Sequence, residues 1–307
     1  MKIYYVSDYC NKGIKGHSNY DFVDVAIDYD NLLFIDPMLI EMAKDEWSHE
    51  ANEIINSFFD VFYKAYRMND KHKKEELLSH ASEQNGTHLG YSQGNNGKGS
   101  TKQGLLNVFS SLDLLLQDIL SIKRPEDLKI FIPHFAEDRF SDLITNILHD
   151  LLNKFTTMQM EKYGIKSNSL QSFWYWDKEI LSWKNVTRPS YCVNGKELLV
   201  VPKYIVRRNY LFSTNQYFNR IIVERMREEG GYMTDGKLIP KSEILKGKRN
   251  SGNHWQYDEV VSYTKRYNDA LNEYHKKLPI FYAENGHPLE DDQLDIVVYG
   301  CAIFKTA

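Results

Sequence analysis

Residues 129–155 read KIFIPHFAEDRFSDLITNILHDLLNKF, and this stretch decides the fold. It opens with a short apolar run over 129–133, which ends at a proline and predicts a buried strand. Apolar residues then recur three and four positions apart, which predicts a long amphipathic helix that begins near Ser141. The pattern therefore changes from strand to helix within this stretch.

Charged side chains are concentrated between this predicted strand and helix, namely Glu137, Asp138, Arg139 and Asp142. Active sites of layered α/β proteins tend to lie where a strand ends and a helix begins. A capping interpretation stays open, in which Asp138 or Ser141 is the N-cap and Asp142 complements the helix dipole. Capping does not explain Arg139, which suits holding carboxylates in place or binding a phosphate.

The composition indicates a large folded protein. The chain has 307 residues, of which 13% are aromatic, so we expect a single domain over 1–307. The expected fold class is α/β or α+β, with a mixed central sheet and long amphipathic helices packed on it. The net charge of −4 excludes a global electrostatic footprint for nucleic acid. A local basic patch remains open in the polar, Lys-rich segment 235–253, which we predict to be an insertion or loop.

Three cysteines, Cys10, Cys192 and Cys301, lack the spacing of metal ligands, which argues against a structural zinc site and a disulfide scaffold. No run approaches 18 apolar residues, and the first residues lack an apolar signal core. We therefore expect a cytoplasmic protein without a membrane partner.

The segment 20–37, YDFVDVAIDYDNLLFIDP, reads as a hairpin with its turn at 29–31. Its second strand ends at Asp36, and a carboxylate at the end of a buried strand is a common metal ligand or general base. Asp36 is alternatively the cap of a helix that Pro37 opens. A long helix with a broad apolar stripe is predicted from about Met38 to Met68.

The segment 86–102, GTHLGYSQGNNGKGSTK, is rich in glycine. Its Gly97, Lys98, Gly99 and Ser100 could offer backbone N–H groups, an amine and a hydroxyl to a phosphate. It is not a Walker A motif, because Gly99 separates the lysine from the serine. A flexible surface loop is the alternative.

Two further segments carry candidates. Residues 171–183, QSFWYWDKEILSW, contain three of the five tryptophans, which suit core or interface anchors or a base-stacking surface. Residues 197–208, ELLVVPKYIVRR, predict a second buried strand with Lys203 near its end. The acid-x-lysine spacing of restriction-endonuclease-like folds is absent there. The remaining predicted elements are helices at 217–229 and 258–277 and a C-terminal strand at 294–304.

Four motifs together resemble a family of uncharacterised bacterial proteins. They are IDPMLI at 35–40, LGYSQGNNGKG at 89–99, EDRFSDLITNIL at 137–148 and ELLVVPKYIVRR at 197–208. The resemblance covers roughly 30–210, and the DRxSD and VPKxxVR patterns are its more specific parts. It implies a setting near anti-phage or mobile-element genes and hence chemistry on nucleic acid, but no particular activity.

If the predicted strands are neighbours in one sheet, the carboxylates converge at its edge. Asp36, Asp138 and Asp142 would then be ligands of Mg²⁺, with Lys203 and Arg139 stabilising charge on a phosphoryl oxygen. Of these residues, Asp138, Asp142, Lys203 and Arg139 are the predicted catalytic set. The leading hypothesis is therefore a metal-dependent nuclease that acts on DNA or RNA, as an effector of bacterial anti-phage defence.

Two other functions stay open. The chain could be a non-enzymatic nucleic-acid-binding or sensor subunit of a multi-protein defence complex, with the tryptophans as an interface. It could also be a nucleotide-binding regulator that uses the glycine-rich segment. In either case we expect a protein partner encoded nearby, or a homo-oligomer.

Overall fold

The fold combines helices with small sheets, so the predicted mixed α/β class with helices packed on sheets is confirmed. A computed structural model describes residues 3–10, 13–91, 101–133, 135–229, 233–234, 237–246 and 254–301. Buried apolar residues from most of this length form one hydrophobic cluster, and the single domain over 1–307 stays a prediction.

Helices make up most of the described chain, and a π-helical turn over Phe218–Ile222 joins two of them. The α-helices are α1 (Pro37–Met42), α2 (Glu46–Arg67), α3 (Lys71–Leu77), α4 (Lys102–Val108), α5 (Leu112–Asp118), α6 (Asp127–Phe131), α7 (Glu137–Ile147), α8 (His149–Lys162), α9 (Thr214–Tyr217), α10 (Val223–Glu229), α11 (Lys241–Lys246), α12 (Trp255–Arg266), α13 (Asp269–Asn285) and α14 (Asp291–Tyr299). Short 3₁₀ helices span Val6–Tyr9, His17–Asn19 and Lys203–Ile205.

The strands form three small sheets, and every ladder between described strands is antiparallel. The strands are β1 (Phe34–Ile35), β2 (Ser169–Asp177), β3 (Ser182–Val193), β4 (Lys196–Leu198), β5 (Val206–Arg207), β6 (Met233–Thr234) and β7 (Lys237–Leu238). β1 pairs with β5, β2 to β4 form a meander, and β6 pairs with β7. The predicted mixed central sheet does not form among the described strands, because short turns pair most strands with their neighbours in sequence.

The apolar stripe of α2 is the centre of the core, as its spacing predicts. Phe58 lies 5.1 Å from the ring of Trp176 and 5.8 Å from that of Trp183, while Phe62 lies 5.4 Å from Phe109. Edge-to-face pairs at these distances add to the free energy of burial. The predicted helix over 38–68 is divided into α1 and α2, because Asp45 caps α2 by accepting from Ser48 N at 3.0 Å.

Several predicted elements are wrong in type. The run over 129–133 is not a strand, because its first three residues end α6 and the last two form a bend and a turn; periodicity cannot assign a short buried apolar run. The segment 20–37 is not a hairpin, because β1 pairs with the distant β5. The predicted strand at 294–304 is helical over its described part, in α14, which Gly300 ends with φ of 78°.

Other elements differ in their boundaries. The predicted strand 197–208 is divided into β4, a 3₁₀ helix and β5, and the predicted helix 258–277 is divided into α12 and α13. The helix predicted near Ser141 begins four residues earlier as α7 and continues as α8. The helix predicted at 217–229 is confirmed by α9, the π-helical turn and α10. Within the predicted loop 235–253, residues 237–238 and 241–246 form β7 and α11.

Phe62→Ala should destabilise the protein by about 3–5 kcal/mol, because it removes a completely buried ring and leaves a cavity. Urea unfolding monitored by circular dichroism measures the change. The control is Leu114→Ala in α5, whose side chain is 66% exposed, so its effect should stay within about 0.5 kcal/mol. Equal effects of the two substitutions would contradict the central position of α2.

Candidate functional site

The first two turns of α7 carry three acidic residues, none of which is the N-cap, although Asp138 Oδ1 accepts from Arg139 N at 2.8 Å. The N-cap is Ala136, which makes no side-chain cap bond. Ser141 Oγ instead accepts from Ile35 N at 3.0 Å and joins α7 to β1. Asp142 lies in the second turn, beyond the reach of the dipole effect at the helix end. The capping interpretation therefore does not account for the carboxylate of Asp142.

Glu137, the first residue of α7, is held by two other segments. Its Oε2 accepts from the Tyr91 hydroxyl at 2.8 Å, and its Oε1 lies 3.2 Å from Lys129 Nζ. Burial raises the pKa of Glu137, but Lys129 and Tyr91 outweigh burial and lower it. Burial lowers the pKa of the Lys129 amine, whose side chain is only 9% exposed. A desolvated cation therefore lies beside the acidic end of the helix.

Asp142 carries the most strongly perturbed carboxyl of this region. Burial, together with the nearby charges of Asp138, Glu83 and Asp30, raises its pKa to about 8, although a hydrogen bond from the Gln84 backbone opposes the increase. Like charges disfavour ionisation of one another. Asp142 is consequently protonated at neutral pH unless a cation compensates these charges.

Asp30 belongs to the same group of charges. Burial and the charge of Glu83 raise its pKa to about 6, although the charge of Lys196 opposes the increase. Gly90 passes close to this carboxylate, since a Cβ at that position would lie 3.7 Å from Asp30 Oδ2. Gly90 has φ of 149°, a conformation that favours glycine. We name Asp30, Glu83, Asp138 and Asp142 the acidic cluster.

A polar row along α7 and α8 fixes the segment that carries Glu83. Asn146 Nδ2 donates to Ser82 O at 2.6 Å, and His149 Nδ1 lies 3.3 Å from Gln84 Nε2. Asn146 and His149 follow Asp142 at helical spacing and therefore lie on the same side of the helices. The acidic cluster is thus assembled by tertiary contacts between distant segments.

Asp36 lies in a different environment. It is completely buried, its Oδ1 accepts from Met38 N at 2.9 Å, and its Oδ2 accepts from the Tyr282 hydroxyl at 2.7 Å. Burial raises its pKa to about 7, which the bond from Tyr282 and the charge of Arg207 oppose. The capping alternative is confirmed for Asp36, and both of its oxygens are engaged away from the acidic cluster.

The two predicted cationic stabilisers differ in their surroundings. Lys203 Nζ donates to Asp291 Oδ1 at 2.6 Å and to His17 O at 3.0 Å, so the amine belongs to the contact with α14. Arg139 follows Asp138 directly on α7 and is half-buried. Its guanidinium forms no ion pair with a residue that the structure describes, and it does not bridge the carboxylates.

The predicted phosphate ligands Gly97, Lys98, Gly99 and Ser100 lie outside the described residues. Within the described ranges, no group of three or more histidine, cysteine or acidic residues is arranged to hold a metal ion. Two of the three clustered tryptophans, Trp176 and Trp183, are buried. The core interpretation is therefore confirmed for both.

A second charged site lies between α8 and the meander, beside a cavity of about 280 Å³. Arg188 Nε and Lys154 Nζ both lie 2.8 Å from Asp150. Burial raises the pKa of Asp150, but Arg188 and Lys154 outweigh burial and lower it. Because this charge is compensated within the protein, the acidic cluster is the stronger candidate for function.

The sequence alone identified Asp138 and Asp142 but not Glu83, Asp30 or Lys129. A signal was available for Lys129, because a charge inside a short buried apolar run needs a partner. No comparable signal marks Glu83 and Asp30, which only the folded chain brings close to α7.

Asp142→Asn should flatten the pH dependence of stability. The folded pKa of about 8 exceeds the ordinary value of about 3.9, so the contribution of Asp142 is fully present below about pH 4. This contribution is lost as the pH rises through about 8. Between about pH 5 and pH 9, the wild type should lose about 4 kcal/mol more than the variant, because each pH unit between the two pKa values corresponds to about 1.4 kcal/mol.

Urea unfolding at the two pH values tests this expectation. Asp21→Asn is the control, because Asp21 is exposed and pairs with Lys162 at the surface. Identical pH profiles for the wild type and Asp142→Asn would show that the carboxyl does not titrate abnormally.

Comparison with known proteins assigns the chain to a protein family. No curated protein and no solved structure matches the chain. In the part of the chain that the structure describes, no helix is long and apolar enough to cross a membrane. A family model described as Domain of unknown function (DUF8370) matches residues 13–213, which include the whole acidic cluster. The chain therefore belongs to the DUF8370 family.

Proposed function

We propose that this protein is a metal-dependent phosphodiester hydrolase that cleaves DNA or RNA at the acidic cluster. The observation that carries the proposal is the position of Asp142 on α7, near the charges of Asp138, Glu83 and Asp30, which together with burial raise its pKa to about 8. Acidic groups held close to one another in a partly buried place cost stability, and such arrangements cluster at functional sites. A divalent cation that a substrate phosphate helps to bind would compensate their charge.

Asp138 and Asp142 would hold Mg²⁺, because carboxylate oxygens are its preferred protein ligands. Mg²⁺ is often bound by one or two carboxylates together with substrate phosphates and water. Asp138 and Asp142 could therefore hold the ion without a third protein ligand. When bound, the ion would polarise a phosphoryl oxygen and activate water. We leave Asp36 out of this site because both of its oxygens have other partners.

Arg139 would bind the substrate phosphate. It lies one residue after Asp138, and its guanidinium has no ion-pair partner among the described residues. Lys129 would position Glu137 and offset the negative charge at the start of α7. It would thus take the place of Lys203 as the lysine of the site. The glycine-rich residues 97–100 remain predicted phosphate ligands.

The sequence motifs support an effector role in bacterial anti-phage defence, through their resemblance to proteins of that setting. The second candidate, a non-enzymatic nucleic-acid-binding or sensor subunit of a defence complex, is favoured by a different observation. The side chains of Leu170 and Trp174 on β2 are 71% and 42% exposed, which suits contact with another protein.

Purified protein should cleave DNA or RNA with Mg²⁺ or Mn²⁺, and Asp142→Asn should lower the rate by roughly 100-fold or more. Asp21→Asn is the matched control and should cleave at the wild-type rate. Melting temperatures confirm that both variants are folded. If no metal supports turnover on either nucleic acid, the second candidate is favoured instead.

Arg139→Gln and Lys203→Gln separate the two predicted stabilisers. Arg139→Gln should lower cleavage by roughly 100-fold at an unchanged melting temperature, because it removes a phosphate ligand. Lys203→Gln should keep its cleavage rate but lose about 1 kcal/mol of stability, because its bonds to Asp291 and His17 are lost. Cleavage assays and urea unfolding measure both effects. If Lys203→Gln slowed cleavage and Arg139→Gln did not, Lys203 and not Arg139 would be the stabiliser in the site.

A further inference from the structure

Tyr91 is an exposed aromatic ring that is nevertheless fixed in place. Its side chain is 50% exposed. The ring centroid lies 4.9 Å from that of Phe34 on β1, and the hydroxyl donates to Glu137 at the start of α7. A ring held at both ends has lost its conformational freedom before a ligand binds, so it binds at a low entropic cost.

The position of the ring links it to the acidic cluster. Glu137, to which the hydroxyl donates, is the residue before Asp138. Burial, the bond to Glu137 and the charge of Asp138 all raise the pKa of the Tyr91 phenol. The phenol therefore stays neutral and lies within the electrostatic field of the proposed catalytic carboxylates.

A fixed and half-exposed ring can stack with a nucleobase. Such stacking contributes about 1–3 kcal/mol per base and tolerates any base, because every base has a π-face. The base must first leave its neighbours, which costs least in a single strand. A ring of this kind would thus distinguish single strands from intact duplexes without reading their sequence.

The charge of the protein favours the same substrate class. With a net charge of −4 and an acidic cluster at the site, attraction for a dense double-stranded polyanion is weak. Affinity then depends on stacking and on a few phosphate contacts.

We propose that Tyr91 is a stacking platform for one nucleobase beside the acidic cluster, and that the substrate is single-stranded nucleic acid. This inference rests on the proposed hydrolase and specifies its substrate. The salt dependence of binding should be shallow, with a slope of log K against log salt of about −0.7 for each phosphate contacted by a cation such as Arg139.

Binding is best measured by fluorescence anisotropy on full-length Asp142→Asn with Mg²⁺, which separates binding from cleavage. The probes are fluorescein-labelled single strands of about 12 nucleotides, as DNA and as RNA, and the corresponding DNA duplex. Adding Tyr91→Leu should weaken single-strand binding by about 5- to 150-fold. Tyr91→Phe keeps the ring and should retain most of the affinity.

Tyr9→Leu is the matched control, since Tyr9 is 44% exposed on another part of the chain, and it should bind like the parent. Melting temperatures establish that each variant is folded. Equal affinity for duplex and single strand, no effect of Tyr91→Leu, or no binding of any probe would each overturn the platform.

A parallel cleavage assay on the otherwise wild-type protein distinguishes the two proposals. If single strands bind through Tyr91 but no metal supports cleavage, the hydrolase proposal fails and the platform stands. If duplex and single strands are cleaved alike and Tyr91→Leu changes neither rate, the hydrolase stands and the platform fails.

Discussion

The packing of aromatic rings against one face of α2 is the interaction on which the rest of the structure depends. Phe58 and Phe62 contact rings from the meander and from the segment after α4. Burying about 200 Å² of each ring contributes on the order of 5 kcal/mol before conformational entropy is subtracted. Burying the two indoles leaves neither N–H group without a partner, because Trp176 donates to Ser57 Oγ and Trp183 donates to Leu77 O.

Asp36 and Asp142 both have raised pKa values, but they differ in what surrounds the carboxyl. Asp36 has a pKa raised to about 7, yet it accepts bonds from Met38 N and Tyr282 and lies near Arg207. Asp142 has a pKa raised to about 8 and is surrounded by like charges. The first carboxyl joins β1 and α1 to α13, whereas the second weakens the fold that holds it. Folding stability explains Asp36, and it does not explain Asp142.

Sequence patterns predicted the elements whose signal is long and periodic. The stripe of α2 and the apolar positions of α7 and α8 extend over several turns, so their helical period is clear. Short runs failed, because 129–133 and 294–304 have too few residues to separate a strand from a buried helix. Only two of the four residues of the acidic cluster were predicted, for a related reason. Asp138 and Asp142 share one helix, whereas the positions of Asp30 and Glu83 depend on tertiary hydrogen bonds.

The predicted convergence of Asp36 and Lys203 with this pair required one sheet whose strands end at a common edge. β1 contains only two residues and pairs antiparallel with β5, so no such edge exists among the described strands. The chain uses Asp36 and Lys203 instead to attach α13 and α14 to the rest of the fold. A polar residue at a strand end is therefore informative only when the partner of that strand is known.

A proton and a divalent cation would compete for the acidic cluster. With the pKa of Asp142 near 8, the proton is bound at neutral pH, so the proposed Mg²⁺ would have to compete with this proton for Asp138 and Asp142. Proton loss and metal binding are thus linked, and metal affinity rises with pH until Asp142 is ionised. A substrate phosphate that shares the cation assists this exchange, because it supplies ligands that the two carboxylates lack. If the proposed function is correct, the cluster would bind metal weakly alone and more tightly with nucleic acid, so that hydrolysis would require the substrate to be present.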